Sequence, residues 1–149
     1  MTEQERDEHF MLLALAEGRK AMPACLPNPP VGCVLVRDGM VIGTSHTQPP
    51  GMPHAEAGAL ALVEGELDDI TAYVTLEPCS FHGRTPSCAR TLVERGIGRV
   101  VVAMIDPDPR NQGKGIEMMR KMGVPVTVGV CEQEAIADLS LHLNRPDNH

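Results

Sequence analysis

The chain has 149 residues, of which 42% are hydrophobic and 22% charged, values typical of a globular domain rather than of a disordered or fibrous protein. A formal net charge of −7 does not favour a nucleic-acid surface, and one Tyr, two Phe and no Trp leave few rings for base stacking. No apolar run reaches the roughly 18 residues that a membrane span needs. We therefore expect one domain over residues 1–149, with a small-molecule partner, no nucleic acid and no membrane.

The N-terminal residues and the cysteines together predict a cytoplasmic location. Glu3, Glu5, Asp7 and Glu8 precede only a short apolar stretch, which is the wrong charge and order for a secretory signal. The five cysteines are an odd number, and thiols in a reducing compartment stay free unless they bind metal or take part in chemistry. We expect free thiols rather than disulfide bonds.

The first third of the chain predicts a helix followed by a hairpin. Thr2 and Glu5 have the spacing of a capping box, and apolar residues follow them at helical intervals. Asp38-Gly39 separates two runs rich in β-branched residues, which is the strongest short-range hairpin signal. The predicted elements are a helix over 3–19 and antiparallel strands near 31–37 and 40–45.

The rest of the chain alternates helical and β-branched segments. Such alternation implies crossover units and parallel strands, so we expect a three-layer α/β/α domain whose mixed five-stranded sheet begins with an antiparallel hairpin. In such sheets the ligand usually lies beyond the carboxyl ends of the strands. The predicted helices are 54–64, 86–95, 115–122 and 133–143, and the predicted strands are 71–76, 99–105 and 124–130.

Four residues at strand-to-helix junctions form a pattern with chemical meaning. His54 and Glu56 give His-x-Glu, and Cys79 after Pro78 is followed nine residues later by Cys88. This order matches the pattern of zinc-dependent deaminases. One imidazole and two thiolates balance the charge of Zn2+ and leave a fourth tetrahedral position for water, as in a catalytic site. The sequence predicts that His54, Cys79 and Cys88 bind Zn2+.

Glu56 has the position required for proton transfer in such a site. In zinc deaminases a glutamate that is not a metal ligand moves protons between water, substrate and leaving group. Two alternatives remain at this stage: a structural zinc site with His82 as the fourth ligand, and a non-catalytic zinc-stabilised binding module. Glu56 would have no function in either, so we expect an enzyme.

Longer segments carry a family resemblance. "PNPPVGCVLV", "PHAE", "AYVTLEPCS", "HGRTPSCA" and "RVVVAMIDPDP" resemble, in order, segments of the cytidine deaminase superfamily, and most closely its pyrimidine deaminases of riboflavin biosynthesis. The resemblance covers about residues 10–135. It implies a cytidine-deaminase-like fold, a homo-oligomer (dimer or tetramer) and zinc-dependent hydrolytic deamination of 2,5-diamino-6-(5-phosphoribosylamino)pyrimidin-4-one. Bifunctional members continue into a reductase domain, and we expect none in residues 1–149.

The same resemblance implies a set of substrate contacts. Arg84 matches a basic position that faces the ribose phosphate, and Asn28 and Asp106 are also residues that turns favour. The eight residues between the two cysteines are typical of the riboflavin branch. The implied substrate-binding residues are Asn28, His46, Phe81, His82, Arg84 and Asp106.

Three differences from the family concern the substrate rather than the metal. Phe81 stands where histidine is common, Gly58 stands where asparagine or histidine is common, and the loop from His46 to His54 is one residue longer. An aromatic ring at Phe81 would suit stacking on a heterocycle. The alternative substrate is therefore another amino-heterocycle, such as a free pyrimidine, purine or pterin base.

Overall fold

A mixed sheet of five strands carries helices on both faces in the computed structural model, which describes residues 1–80 and 87–143. The order of helices and strands is the predicted one. None of the helices in these two ranges is long and apolar enough to cross a membrane. The elements are α1 Glu3–Arg19, β1 Gly32–Arg37, β2 Met40–His46, α2 Ala55–Leu60, β3 Ile70–Val74, α3 Cys88–Glu94, β4 Arg99–Val102, α4 Lys114–Lys121, β5 Val126–Val128 and α5 Glu132–Leu139, and a short 3-10 turn follows over Ser140–His142.

The strands lie in the order β2-β1-β3-β4-β5. β1 is antiparallel to both β2 and β3, whereas β3, β4 and β5 are parallel. At the hairpin tip Asp38 has φ 50° and Gly39 has φ 75°, the positive values that a tight turn of this kind requires. The predicted hairpin and the predicted mixed five-stranded sheet are confirmed.

The alternation of side chains along β1 separates the two helical layers. A Cβ atom on Gly32 would collide with the Ala14 carbonyl of α1, so this glycine allows the helix to approach the sheet closely. Gly43 of β2 pairs with Leu35 and lies on the other face, where the Ala59 carbonyl of α2 approaches it. α1 also contacts α5, while α2 contacts α3 and α3 contacts α4. The layers are therefore α1 with α5, and α2 with α3 and α4.

A buried charged cluster joins α1 to the sheet; we call its residues, Asp7, Tyr73 and Arg99, the Asp7 cluster. The Tyr73 hydroxyl donates a hydrogen bond to Asp7 Oδ1 at 2.8 Å. The Arg99 guanidinium donates to Asp7 Oδ1 at 2.9 Å and to Oδ2 at 2.8 Å. Burial, followed by the hydrogen bond to Asp7, raises the pKa of Tyr73 above its usual range, so this side chain stays protonated.

Several elements are shorter than predicted. β4 was expected to reach residue 105 but ends at Val102, although the Ala103 N–H still donates to the Val74 carbonyl. α2 was expected to reach residue 64 but ends at Leu60. There the Arg95 guanidinium donates to the carbonyls of Leu60 and Val63, which stabilises a turn in place of a further helical turn.

Candidate metal centre and active site

Three potential metal ligands converge at one end of the sheet. His54 is the N-cap residue of α2 and makes no capping hydrogen bond with its side chain. Cys79 follows β3, and Cys88 is the first residue of α3. His54 Nδ1 lies 3.2 Å from Cys88 Sγ and 4.0 Å from Cys79 Sγ. All three ligand atoms lie within 4.8 Å of one another, the one such group that residues 1–80 and 87–143 contain.

These separations fit a tetrahedral zinc ion. With Zn–N and Zn–S bonds of about 2.0 and 2.3 Å, a tetrahedral ion places N and S ligand atoms about 3.5 Å apart. The two observed N–S distances bracket that value. Thiolate and imidazole are ligands that zinc prefers, and three protein ligands leave a fourth position for a reactant. The donor set and its spacing therefore suit a catalytic zinc ion.

Local hydrogen bonds join Cys79 to the start of α3, where Cys88 lies. The Cys79 carbonyl accepts from Ser87 Oγ at 2.7 Å and from the Ala89 N–H at 3.0 Å, while its Sγ accepts from the Cys88 N–H at 3.3 Å. The hydrogen bond from the Cys88 thiol, helped by His54, lowers the pKa of Cys79 to about 4, although burial opposes this. The hydrogen bond to Cys79, and then burial, raises the pKa of Cys88. The two thiols therefore titrate as a pair, and the hydrogen bond between them favours a single thiolate.

Glu56 lies beside the three potential ligands. It belongs to the first turn of α2, is 5% exposed, and lines the same pocket as His54 and Cys79. Its negative charge contributes to the raised pKa values of His54 and Cys88, after the leading effect of hydrogen bonds to Cys79. Burial and then the Glu56 charge also raise the pKa of Cys33 on β1, so that thiol stays protonated. A buried carboxylate close to a potential metal centre can exchange protons with a molecule bound there.

Thr47, which the sequence did not single out, also lines the pocket. It lies there together with Asn28, His54, Glu56 and Cys79. Thr47 Oγ1 donates to the Pro29 carbonyl at 2.9 Å and accepts from the Val31 N–H at 2.9 Å. These bonds fix the loop that carries Asn28. No local pattern distinguishes Thr47 from an ordinary surface threonine, so sequence reasoning had no signal for it.

Two predicted substrate residues have protein partners away from this lining. His46 Nδ1 lies 2.6 Å from a Glu17 carboxylate oxygen on α1. Burial alone would raise the pKa of Glu17, but hydrogen bonds from His46 and Lys20 lower it. Asp106 is fully buried, and its carboxylate accepts from the Asp108 N–H at 3.0 Å and from Asn111 Nδ2 at 3.4 Å. Their contacts with substrate stay predictions.

The remaining predicted residues concern the loop between the two cysteines and one position on α2. Phe81, His82 and Arg84 lie outside the described residues, so their roles also stay predictions. Gly58, expected near the substrate, packs against the Ser45 side chain of β2, where a Cβ atom would collide with Ser45 Oγ. The absence of a side chain at this position therefore accommodates packing between α2 and the sheet.

Comparison with known proteins identifies relatives for most of the chain. Residues 4–104 match the family model of the cytidine and deoxycytidylate deaminase zinc-binding region. The riboflavin biosynthesis protein RibD of Aquifex aeolicus is 46% identical over 132 residues, which are 89% of this chain and 37% of that protein. RibD of Escherichia coli is 43% identical over 130 residues, 87% of this chain and 35% of that protein.

Solved structures give the same relationship. Form 2 of Acinetobacter baumannii RibD superposes with a TM-score of 0.92 at 39% identity, over 95% of this chain and 40% of that one. The Thermotoga maritima diaminohydroxyphosphoribosylaminopyrimidine deaminase/5-amino-6-(5-phosphoribosylamino)uracil reductase gives 0.89 at 37% identity, over 95% and 41%. The chain therefore spans about two fifths of these proteins.

These comparisons test the main predictions. The zinc-binding region of the matching family and the His-Cys-Cys group confirm the predicted Zn2+ cofactor. The family and the relatives confirm an enzyme of the deaminase class and the predicted fold. The chain belongs to the cytidine and deoxycytidylate deaminase family.

Proposed function

We propose that this chain catalyses hydrolytic deamination of an aminopyrimidine, with His54, Cys79 and Cys88 as zinc ligands and Glu56 as the proton-transfer residue. One observation carries the proposal. An imidazole nitrogen and two thiols converge at metal-binding distances beside a buried carboxylate that lines the same pocket. A structural zinc site needs no such carboxylate, so the arrangement favours catalysis over a binding module.

Different residues of the chain would bind the metal and transfer the protons. His54, Cys79 and Cys88 would hold the zinc ion, which would lower the pKa of water and so supply a nucleophile at neutral pH. Glu56 takes a proton from the attacking water at a carboxylate oxygen and passes it to the ring nitrogen next to the reacting carbon. Glu56 then takes the second proton from the hydroxyl that has added to the ring carbon and delivers it to the amino nitrogen as the C–N bond breaks. Ammonia leaves, and the ring carbon keeps the oxygen of water as a carbonyl.

The proposed substrate is 2,5-diamino-6-(5-phosphoribosylamino)pyrimidin-4-one, the aminopyrimidine of riboflavin biosynthesis. Relatives that are 43% and 46% identical are named riboflavin biosynthesis proteins. We assign Arg84 to the phosphate, because a planar guanidinium holds phosphate by two charge-assisted hydrogen bonds. Asn28 in the pocket lining would contact the ring or ribose, and Phe81 and His82 would border it. We retain His46 and Asp106 as substrate contacts on the family resemblance alone, because the structure gives both of them protein partners outside this lining.

Ammonia release from a panel of amino-heterocycles, with and without ribose phosphate, tests this proposal. Wild type should deaminate the phosphoribosylated compound, and Arg84→Ala should lower kcat/KM for that compound by about 2 to 4 kcal/mol in transition-state free energy. An unphosphorylated analogue should respond little to Arg84→Ala. Efficient deamination of a free pyrimidine, purine or pterin base, with no reaction of the phosphoribosyl compound, would contradict the riboflavin assignment and leave the deaminase mechanism intact. Phe81→His restores the histidine that is common in the family at this position, and its substrate preference is compared with that of wild type.

Three broader features complete the proposal. Residues 1–149 would form one deaminase domain that works as a homodimer or homotetramer in the cytoplasm. A net charge of −7 suits a small substrate better than a polyanion, although one structural neighbour, 27% identical, is a tRNA:A34 deaminase. Light scattering gives the oligomeric state, and cell fractionation gives the location. Filter binding with tRNA at low salt should detect no complex.

A further inference from the structure

The segment next to Cys79 is enclosed by the loop that follows β4. Glu77 is 1% exposed, and its carboxylate accepts three backbone hydrogen bonds. The donors are the N–H groups of Asp106 at 3.1 Å, Gly113 at 2.9 Å and Ile116 at 3.1 Å. A buried carboxylate is costly unless its oxygens are hydrogen-bonded, and these donors satisfy it. Glu77 therefore ties the segment that follows β3 to the start of α4.

Asn111, in the same loop, holds the chain on the other side of Cys79. This residue is fully buried, and its Oδ1 accepts from the Ser80 N–H at 3.0 Å while Nδ2 donates to the Pro78 carbonyl at 3.3 Å. Gly115 completes the contact, because a Cβ atom there would collide with the Pro78 carbonyl. We call Glu77 and Asn111, with these bonds, the Glu77–Asn111 brace.

We propose that Glu77 and Asn111 are positioning residues that set the location of Cys79 Sγ and hence the zinc affinity and coordination geometry. His54 and Cys88 are placed by the starts of helices, whereas Cys79 lies in a loop. Its own hydrogen bonds go to the start of α3, so the brace is what fixes residues 77, 78 and 80 around it. The inference rests on the proposed function only in taking Cys79 as a ligand.

Zinc affinity tests the brace without any need for substrate. Asn111→Ala removes the bonds to Ser80 and Pro78, and Glu77→Gln replaces one accepting oxygen by a donor without changing shape. Gly115→Ala displaces the Pro78 carbonyl and alters no hydrogen-bonding group. Each variant should bind zinc about 10- to 100-fold more weakly in equilibrium competition with a chelator, the usual effect of residues that orient metal ligands. The absorption spectrum of the Co2+-substituted protein should also change, because it reports the ligand geometry.

Tyr73→Phe is the matched control, since it removes a buried hydrogen bond on the α1 face of the sheet. It should lower the melting temperature and leave zinc affinity and the Co2+ spectrum unchanged. Unaltered zinc affinity and spectrum in Asn111→Ala and Glu77→Gln would overturn the inference. Should Asn111→Ala not fold, Glu77→Gln decides, because it is isosteric. Wild type that binds no zinc would instead refute the proposed function.

Discussion

The two faces of the sheet both bury ionisable groups but use them differently. On the α1 face, Asp7 is matched by Arg99 and Tyr73 within hydrogen-bonding distance, and the cluster joins a helix to two strands. On the α2 face, Glu56 lies beside the imidazole and thiols of the potential zinc ligands and lines a pocket. Both faces bury charged groups, so burial of charge alone does not identify a functional site.

The kind of partner separates the two regions. A carboxylate held by a guanidinium is neutralised within the protein and fixes two elements relative to each other. Two thiols and an imidazole that converge within 4.8 Å favour a metal cation from outside the chain. We therefore expect substitutions on the α1 face to change stability and substitutions on the α2 face to change zinc content and turnover.

The largest effect should come from removing a zinc ligand. Cys88→Ser should lose bound zinc and all measurable ammonia release, because serine is a poor replacement for a thiolate ligand. Elemental analysis of the purified protein measures the metal. Cys131→Ser is the control, because Cys131 is not one of the potential zinc ligands. Its Sγ lies 3.8 Å from the Glu8 carbonyl of α1. Full zinc and activity in Cys88→Ser, or in Cys79→Ser, would show that the ligand assignment is wrong.

Glu56→Gln should separate metal binding from proton transfer. The amide matches the carboxylate in shape but cannot carry protons, so we expect kcat to fall by about 100-fold or more with full zinc content. Stopped assays of ammonia release on zinc-loaded protein measure this. If zinc were lost together with activity, Glu56 would be a ligand and not the proton-transfer residue.

Asp7→Asn tests the other face at a buried carboxylate. An amide nitrogen would face the Arg99 guanidinium, and one partner of a largely buried pair would be left uncompensated, which costs about 3 kcal/mol of unfolding free energy. Urea denaturation measures this loss. Zinc content and kcat should match those of wild type at temperatures where the variant is folded. A 100-fold loss of kcat in folded Asp7→Asn would remove the distinction between the two faces.

Local patterns predicted much of the molecule. The capping box at Thr2 and Glu5 and the turn at Asp38-Gly39 were recognisable because their residues are neighbours in sequence, and both are present. The candidate ligands were recognisable because their chemical types and spacing are unusual. The order of elements followed from the alternation of helical and β-branched segments.

Contacts between distant residues were not predictable in the same way. Glu77 binds N–H groups 29 to 39 residues further along the chain, and Asp7 pairs with Arg99 across 92 residues. Nothing in the short motif "LEPC" indicates that its glutamate organises a later loop. The sequence predicts His46 as a substrate-binding residue but not its contact with Glu17, which depends on how α1 lies against β2. Such partners follow from tertiary packing, which periodicity does not specify.

The smallest effect, and the most specific to the Asp7 cluster, should come from Tyr73→Phe. At neutral pH the loss of one hydrogen bond to a carboxylate that Arg99 still binds should cost about 1 to 2 kcal/mol of unfolding free energy.

The pKa of Tyr73 is raised in the folded protein, whereas an unfolded tyrosine ionises near pH 10. The stabilisation is therefore complete below about pH 10 and is lost as pH rises beyond it, since the unfolded chain releases a proton that the folded protein keeps. The difference in unfolding free energy between wild type and Tyr73→Phe should shrink by up to about 1.4 kcal/mol per pH unit above pH 10. Urea denaturation of both proteins from pH 8 to pH 11 measures this, because other groups that titrate there are common to the two. A difference that stays constant across the range would mean that Tyr73 ionises as readily in the folded protein as in the unfolded chain.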